Sequence, residues 1–344
     1  MKSKKRMSGI EFYKKYGILV ILVGIIMLFS ILAPNFFNVG NIFSILRQQS
    51  FQGILAIGMV LCMLTGGVDL SVGSLTAFCG MAGALFMRAY PIPFTTFNPN
   101  PIVGALIGIV AGVAWGFVNG VLINELKIPP LIATLATFES IRGLVYIISG
   151  ALPIYDGLED YFVYMGQGSL FGVIPIPVIF MLVLFVVFWI ILSKTTYGRH
   201  IYCVGGNEEV ARLSGINVKK IKYSAYMISG AMCGVAGMLL VARTSSMQPN
   251  AALGYEFEVI TACVLGGVSM NGGEGKLWGA MVGIVIMGIL LNGLIQVGLN
   301  DFYREVFSGV VLVIAVGIDS YSRNHKENLA EMLKAEEAAP CQAE

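Results

Sequence analysis

Ten apolar runs divide this chain, and each approaches the roughly 17 to 25 residues a helix needs to cross the ~30 Å hydrocarbon layer of a membrane. They occupy residues 17–33, 42–64, 72–90, 102–123, 131–149, 173–193, 223–242, 254–270, 276–298 and 303–319. Barrel strands need only about 9 to 11 residues, and in lipid only helices or closed barrels satisfy every backbone polar group. The expected fold is therefore all-α, a polytopic transmembrane helical bundle of about ten spans. Composition agrees. Only 12% of residues are charged, against about 25% in soluble domains, which excludes a soluble globular fold. The 42 glycines among 344 residues suit helices whose backbones approach closely.

Charge sets the orientation. Lys2, Lys4, Lys5, Arg6, Lys14, Lys15, Lys127, Lys276, Arg323, Lys326, Lys334 and the basic residues of the central segment share one side. Arg47, Arg88, Arg243 and Arg304 fall at the other, so the first side is expected to be cytoplasmic. With an even number of spans both termini lie there. The chain then divides into a cytoplasmic segment at 1–16, a transmembrane domain at 17–319, and a cytoplasmic tail at 320–344, polar and poorly ordered from Asn324. The basic N-terminus looks like a signal peptide, but no small-residue cleavage site precedes Pro34, so the first span is expected to be retained.

The segment 194–222 is the one long polar stretch between spans, and it carries Lys194, Arg199, Arg212, Lys219, Lys220 and Lys222. Gly205 and Gly206 are expected to break the chain there. Asn207 then caps a short helix over Glu208–Leu213, with Glu208 and Glu209 in its first turn, and Gly215 stops it. Two turns do not hold a helix in water. Such a helix is either part of a solvated loop or a rigid knob seated in a cleft of another protein.

Four stretches carry a family resemblance: T-G-G-V-D-L-S-V-G-S from Thr65, Y-G-R-H-I-Y-C-V-G-G-N-E-E-V-A-R-L-S-G-I-N-V from Tyr197, Gln248-Pro249-Asn250 with Gly254-Tyr255-Glu256, and V-L-G-G-V-S-M-N-G-G-E-G from Val264. Together, over about Tyr16 to Asp319, they resemble the ribose/xylose/galactose-type permeases of ABC importers. The resemblance implies inward transport of a monosaccharide, a separate ABC ATP-binding subunit, and a periplasmic or lipid-anchored sugar-binding protein. It implies a location in the bacterial inner membrane. The ATPase-coupling residues would then be Gly206, Asn207, Glu208, Glu209, Ala211, Arg212, Gly215 and Asn217. The solute would pass between two permease subunits, two copies of this chain or this chain with a paralogue.

An internal repeat points to a transporter without the family. Gly104-Ala105-Leu106-Ile107-Gly108 leading to Asn119-Gly120 matches Gly279-Ala280-Met281-Val282-Gly283 leading to Asn292-Gly293, and Glu139-x-x-x-Gly143 matches Glu305-x-x-x-Gly309. The paired spans cross in opposite senses, which makes an inverted repeat. The likeness of Gly66-Gly67-Val68 to Gly266-Gly267-Val268 does not fit that inversion and is read as coincidence.

Polar residues within spans are the candidates for a translocation path: Asn119, Thr134, Glu139, Arg142, Asn292 and Gln296, with Asn124 and Thr137 beside them. Each either offers hydrogen bonds to solute hydroxyls or bonds one helix to another. Glu139 and Arg142, three residues apart, are expected on one helix face, as an ion pair or as part of the path. Asp69, with Gly66 and Gly67, either caps the third span or meets solute. Glu256 and Glu258 open the eighth span on the outer face, as part of a docking surface or as solvated surface.

Several chemistries are excluded. Gly272-Gly273-Glu274-Gly275-Lys276 invites a phosphate-loop reading, but Met270 and Leu277 stand where glycine and Ser or Thr are required, so ATP hydrolysis belongs to another polypeptide. His200 and His325 lie far from any ligand cluster, so no metal or cofactor is expected. No cysteine falls in an outer loop, so no disulfide is expected. The competing class is an ion-coupled secondary sugar transporter with Glu139 as its titrating group.

Overall fold

A computed structural model of the chain describes residues 9–33, 36–88, 100–155 and 158–338. Its helices are α1 (Gly9–Leu32), α2 (Val39–Leu64), α3 (Val72–Arg88), α4 (Pro101–Asn124), α5 (Pro130–Ser149), α6 (Asp160–Gln167), α7 (Ile176–Lys194), α8 (Thr196–Gly206), α9 (Glu208–Leu213), α10 (Val218–Thr244), α11 (Tyr255–Leu265), α12 (Leu277–Gln296) and α13 (Asp301–Ala338). One hairpin, β1 (Ser169–Leu170) with β2 (Ile174–Pro175), completes the described elements. Most of the outer segment 91–101 lies outside the described residues.

Local chemistry sets the boundaries. Asn38 and Asn100 cap α2 and α4 by accepting from Gly40 N and Ile102 N, and Pro101 and Pro130 occupy first turns, where a missing N–H costs nothing. At the end of α2, Gly66 takes φ 81°, so its N–H reaches Met63 O and the Gly67 N–H reaches Cys62 O. That is the left-handed stop a residue with a Cβ makes only under strain.

The core is built on α2 and α10. Residues 49–64 of α2 are buried without a break, and α10 packs against α4, α2 and α3. Glycine enables this contact. Gly104, Gly108, Gly112 and Gly116 repeat every four residues along α4, and a Cβ at Gly112 would collide with the Gly230 carbonyl, one at Gly116 with that of Tyr226. The glycines thus act in packing, as composition suggested.

Each of the ten apolar runs holds a helix among the described residues, and three differ most in extent. The eighth is helical only over the 11 residues of α11, about 16 Å of rise, and the chain then turns through Gly266 and Gly267. The first run begins at Gly9, earlier than expected. The last continues in α13 through Ala338, so the segment 324–338, expected to be poorly ordered, is helical. Its Ala, Glu, Leu and Lys content has high helix propensity. Among the described residues five helices, α4, α5, α7, α10 and α12, are long and apolar enough to cross a membrane. In one half α3 touches α4 and α5; in the other α11 touches α12 and α13.

Candidate functional site

The short helix α9 has the bounds the sequence indicated. Asn207 accepts a bond from Val210 N at 3.0 Å, and Gly215, at φ 82°, sends its N–H to Arg212 O while Ile216 N reaches Ala211 O. Ala211 is buried, whereas Val210 and Leu213 are 57% and 80% exposed. The helix therefore rests on one small residue and shows two apolar side chains outward. Lys222 Nζ lies 2.5 Å from Glu208 Oε2, Arg212 approaches Glu209 at 3.9 Å, and Asn217 caps α10 at Lys220 N. Beside it, Lys219 bonds Glu125 at 2.7 Å, and this hydrogen bond holds the Glu125 carboxyl below its ordinary value.

Gly205 and Gly206 do not break the chain. They form the last turn of α8, and the break comes at Asn207, whose backbone is extended. The reason lies in a contact the sequence did not announce. Gly205 presses on the carbonyl of Leu64 at the end of α2 and on the backbone of Gly273, leaving no room for a Cβ. Gly273 N donates to Leu64 O at 3.0 Å, and Tyr202 Oη donates to Gly275 O at 2.9 Å. The α2 end, the central loop and the α11–α12 loop thus meet backbone to backbone at one joint, and α9 sits directly beside it. The glycines of the last motif, considered above only as a phosphate loop, serve this approach.

Next to the joint, Asp69 is fully buried. Its carboxylate accepts from Ser71 N at 3.1 Å, Ser71 Oγ at 2.5 Å and Ser229 Oγ at 2.8 Å. From Ser71 the network continues through Asn119 Nδ2 at 3.0 Å to Thr137 Oγ1, 2.8 Å from Asn119 Oδ1. Thr134 Oγ1 donates to Val68 O at 3.2 Å. Gly67 fits beneath the Tyr226 hydroxyl and Pro130. Asn119 therefore joins the Asp69 network, which through Asn119, Thr137 and Ser229 ties the α2–α3 turn to α4, α5 and α10, while Thr134 bonds the backbone beside it.

The remaining polar residues separate into three places. Asn292 and Gln296 bond Asn41 of α2 at 2.9 to 3.0 Å. Glu139 is exposed near the midpoint of α5, whereas Arg142 is buried and donates to Pro249 O and Ala251 O at 2.9 and 3.0 Å. No ion pair joins Glu139 to Arg142 among the described residues, so the expected shared face is divided. Glu256 and Glu258, expected on the outer surface, are 2% and 7% exposed. Glu258 is held by two bonds from Arg304 of α13, at 3.0 and 3.1 Å, and by Gln52 of α2. Burial within the chain takes both side chains off the surface; Glu258 is paired as a carboxylate this deep requires, whereas Glu256 Oε2 has no hydrogen-bond partner among the described residues. Arg243 lies 5.3 Å from the Phe51 ring centre and reaches Gln48. The glutamines of α2 were the missed signal: Gln48, Gln49 and Gln52 inside an apolar run call for inward partners.

Comparison with known families decides the class. Residues 41–316 match the model described as branched-chain amino acid transport system / permease component. The chain belongs to this permease family. Within it, the ribose import permease protein RbsC of Escherichia coli K12 is 40% identical over 305 residues, 88% of this chain and 92% of that protein. RbsC of Bacillus subtilis is 38% identical over 319 residues, 92% and 96% of the two chains. The L-arabinose transport system permease protein AraH of E. coli K12 is 36% identical over 327 residues, 95% and 96%. No solved structure matches. The permease is a multi-pass membrane protein, and its buried polar networks lie in a body whose outer helices are apolar.

Proposed function

We propose that this permease is the membrane subunit of an ATP-driven importer that carries a monosaccharide or a similar small polyhydroxylated solute inward. The relatives' names, ribose and arabinose permeases, support the solute class. On this reading the domain at 17–319 spans the membrane with both termini cytoplasmic, an ATP-binding subunit grips the loop 194–222 through Asn207–Asn217, and hydrolysis belongs to that subunit. A sugar-binding protein delivers solute from outside, and a second permease subunit completes the path. The likeness of α3 with α4 and α5 to α11 with α12 and α13 supports the inverted repeat.

The observation that carries the proposal is α9: a capped two-turn helix whose apolar residues face outward while its base sits beside the backbone joint. The test is capture of partners through a tag at Glu344 from gently solubilised membranes. An ATP-binding subunit should copurify, and should be lost in the Glu208→Ala, Arg212→Ala double variant while the permease stays in the membrane. Undiminished copurification with that variant would overturn the assignment of α9.

One observation favours a second reading. Glu139 is exposed at mid-helix, as an ion-coupled transporter would require. Solute uptake by the purified chain alone in liposomes under an ion gradient would support it.

A further inference from the structure

Between α5 and α7 the chain makes a device that neither the helical bundle nor the coupling loop uses. Helix α6 buries Phe162 and lays Gly166 on the backbone of Ala242 and Arg243. The β1–β2 hairpin then projects from this base. Its tip is Phe171, which has φ 55° and is 88% exposed, beside Gly172 at φ 72°. Leu170, Val173 and Ile174 are exposed around it. A bulky residue in the left-handed region is strained, and a turn meant for water takes Gly or Asn there. This chain keeps the strain and displays the ring.

The covering surface follows from what adjoins the hairpin. Strand β2 runs directly into α7, of whose most apolar window only 17% is buried. Leu182, Val183, Val186, Val187, Trp189 and Ile190 all face outward. No Lys or Arg stands between Arg142 and Lys194. The exposed apolar surface of the hairpin thus continues the least buried of the five long apolar helices at its first turn, and aromatic rings settle where such a helix meets the boundary between acyl chains and headgroups. We propose that the hairpin 169–175 is a membrane anchor, with Phe171 inserted into the boundary region of the leaflet where α7 begins. It fixes the height of α6, and through Gly166 the end of α10, against the bilayer. The proposal rests on the reading of the chain as a membrane subunit and is independent of its solute.

The test uses the full permease in lipid nanodiscs, with Cys203 and Cys341 replaced by serine and a small environment-sensitive fluorophore placed on Phe171→Cys. Val173→Cys serves as a second position should the first fold poorly. Labels on Val186→Cys in α7 and Leu213→Cys in α9 are the lipid and water references. The hairpin label is expected to emit at shorter wavelength than the Leu213 label and to lose fluorescence to lipids with a nitroxide high on the acyl chain, but not to aqueous iodide. Iodide quenching at Phe171 with lipid quenching at Val186 would overturn the anchor and leave the membrane reading intact. Shielding at Phe171 from both quenchers would also overturn it, by showing a protein surface over the tip. Failure of lipid quenching at Val186 would instead remove the membrane reading on which the proposal rests.

Discussion

Asp69 is the residue on which the interior depends most. Its carboxylate satisfies one backbone and two hydroxyl donors inside a fully buried site, and each donor left unpaired there would cost about 1–3 kcal/mol. Asp69→Ala is therefore expected to destabilise the permease by on the order of 3 kcal/mol, with a lower melting temperature in detergent by circular dichroism. Asp69→Asn should recover part of the loss, since an amide still accepts one donor. Lost uptake at unchanged melting temperature would instead make Asp69 a solute contact. The cap to Ser71 was legible because it is local; the bond from Ser229 was not, because only the tertiary fold brings α10 there. Glu125 gives a pH dependence of known sign. Its pKa is lowered by the Lys219 hydrogen bond, so the stabilisation is present above the unfolded carboxylate value and is lost as pH falls through the folded one. Both groups are exposed, so Glu125→Gln should abolish only a small acid-dependent shift in melting temperature.

Among the elements, α9 was readable from its own residues and α8 was not. Asn207 and Gly215 act within one turn of where they stand, which is why both ends of α9 follow from sequence. Gly205 and Gly206 looked like a break because glycine disfavours helix interiors. Here the close approach to Leu64 and Gly273 offsets that penalty, and a contact between distant segments leaves no local trace. The same limit hid the burial of Glu256 and of Glu258, the latter held by Arg304 and Gln52 from other helices. Two outcomes follow. Asn207→Ala should cost α9 about 1 kcal/mol of capping and weaken capture of the ATP-binding subunit. Gly205→Ala, which forces α8 off the α2 end, should leave capture intact and lower the solute imported per ATP hydrolysed, with Tyr202→Phe as the milder variant. Transport and hydrolysis in proteoliposomes measure that ratio, and an unchanged ratio in both variants would make the joint a packing feature alone.

For the whole molecule, the central question is what faces Glu139. The structure gives the other path candidates partners within the chain: Asn119 bonds Ser71, Thr134 the Val68 carbonyl, Asn292 and Gln296 bond Asn41, and Arg142 the backbone at 249 and 251. Glu139 is the exposed carboxylate of the set, near the middle of a helix long enough to cross the membrane, whereas Gln296, also exposed, stands at the end of α12. An acidic side chain facing lipid at that depth costs about 2.5–3.5 kcal/mol, so on the proposed reading α5 turns this face to a water-filled path shared with the second permease subunit. The open surface beside it agrees, since none of the described residues comes within 4 Å of where a Cβ on Gly143, one turn further along, would stand. The two energy sources then predict different results for Glu139→Gln. When ATP drives import, an uncharged side chain still hydrogen-bonds solute, so uptake in proteoliposomes with the ATP-binding subunit persists at an altered rate and still requires ATP. When an ion gradient drives it, removing the titrating carboxylate abolishes accumulation while downhill exchange of solute continues. Accumulation that survives in Glu139→Gln and stops on ATP depletion would assign the carboxylate to the path wall; accumulation lost in the variant with ATP present would assign it to coupling.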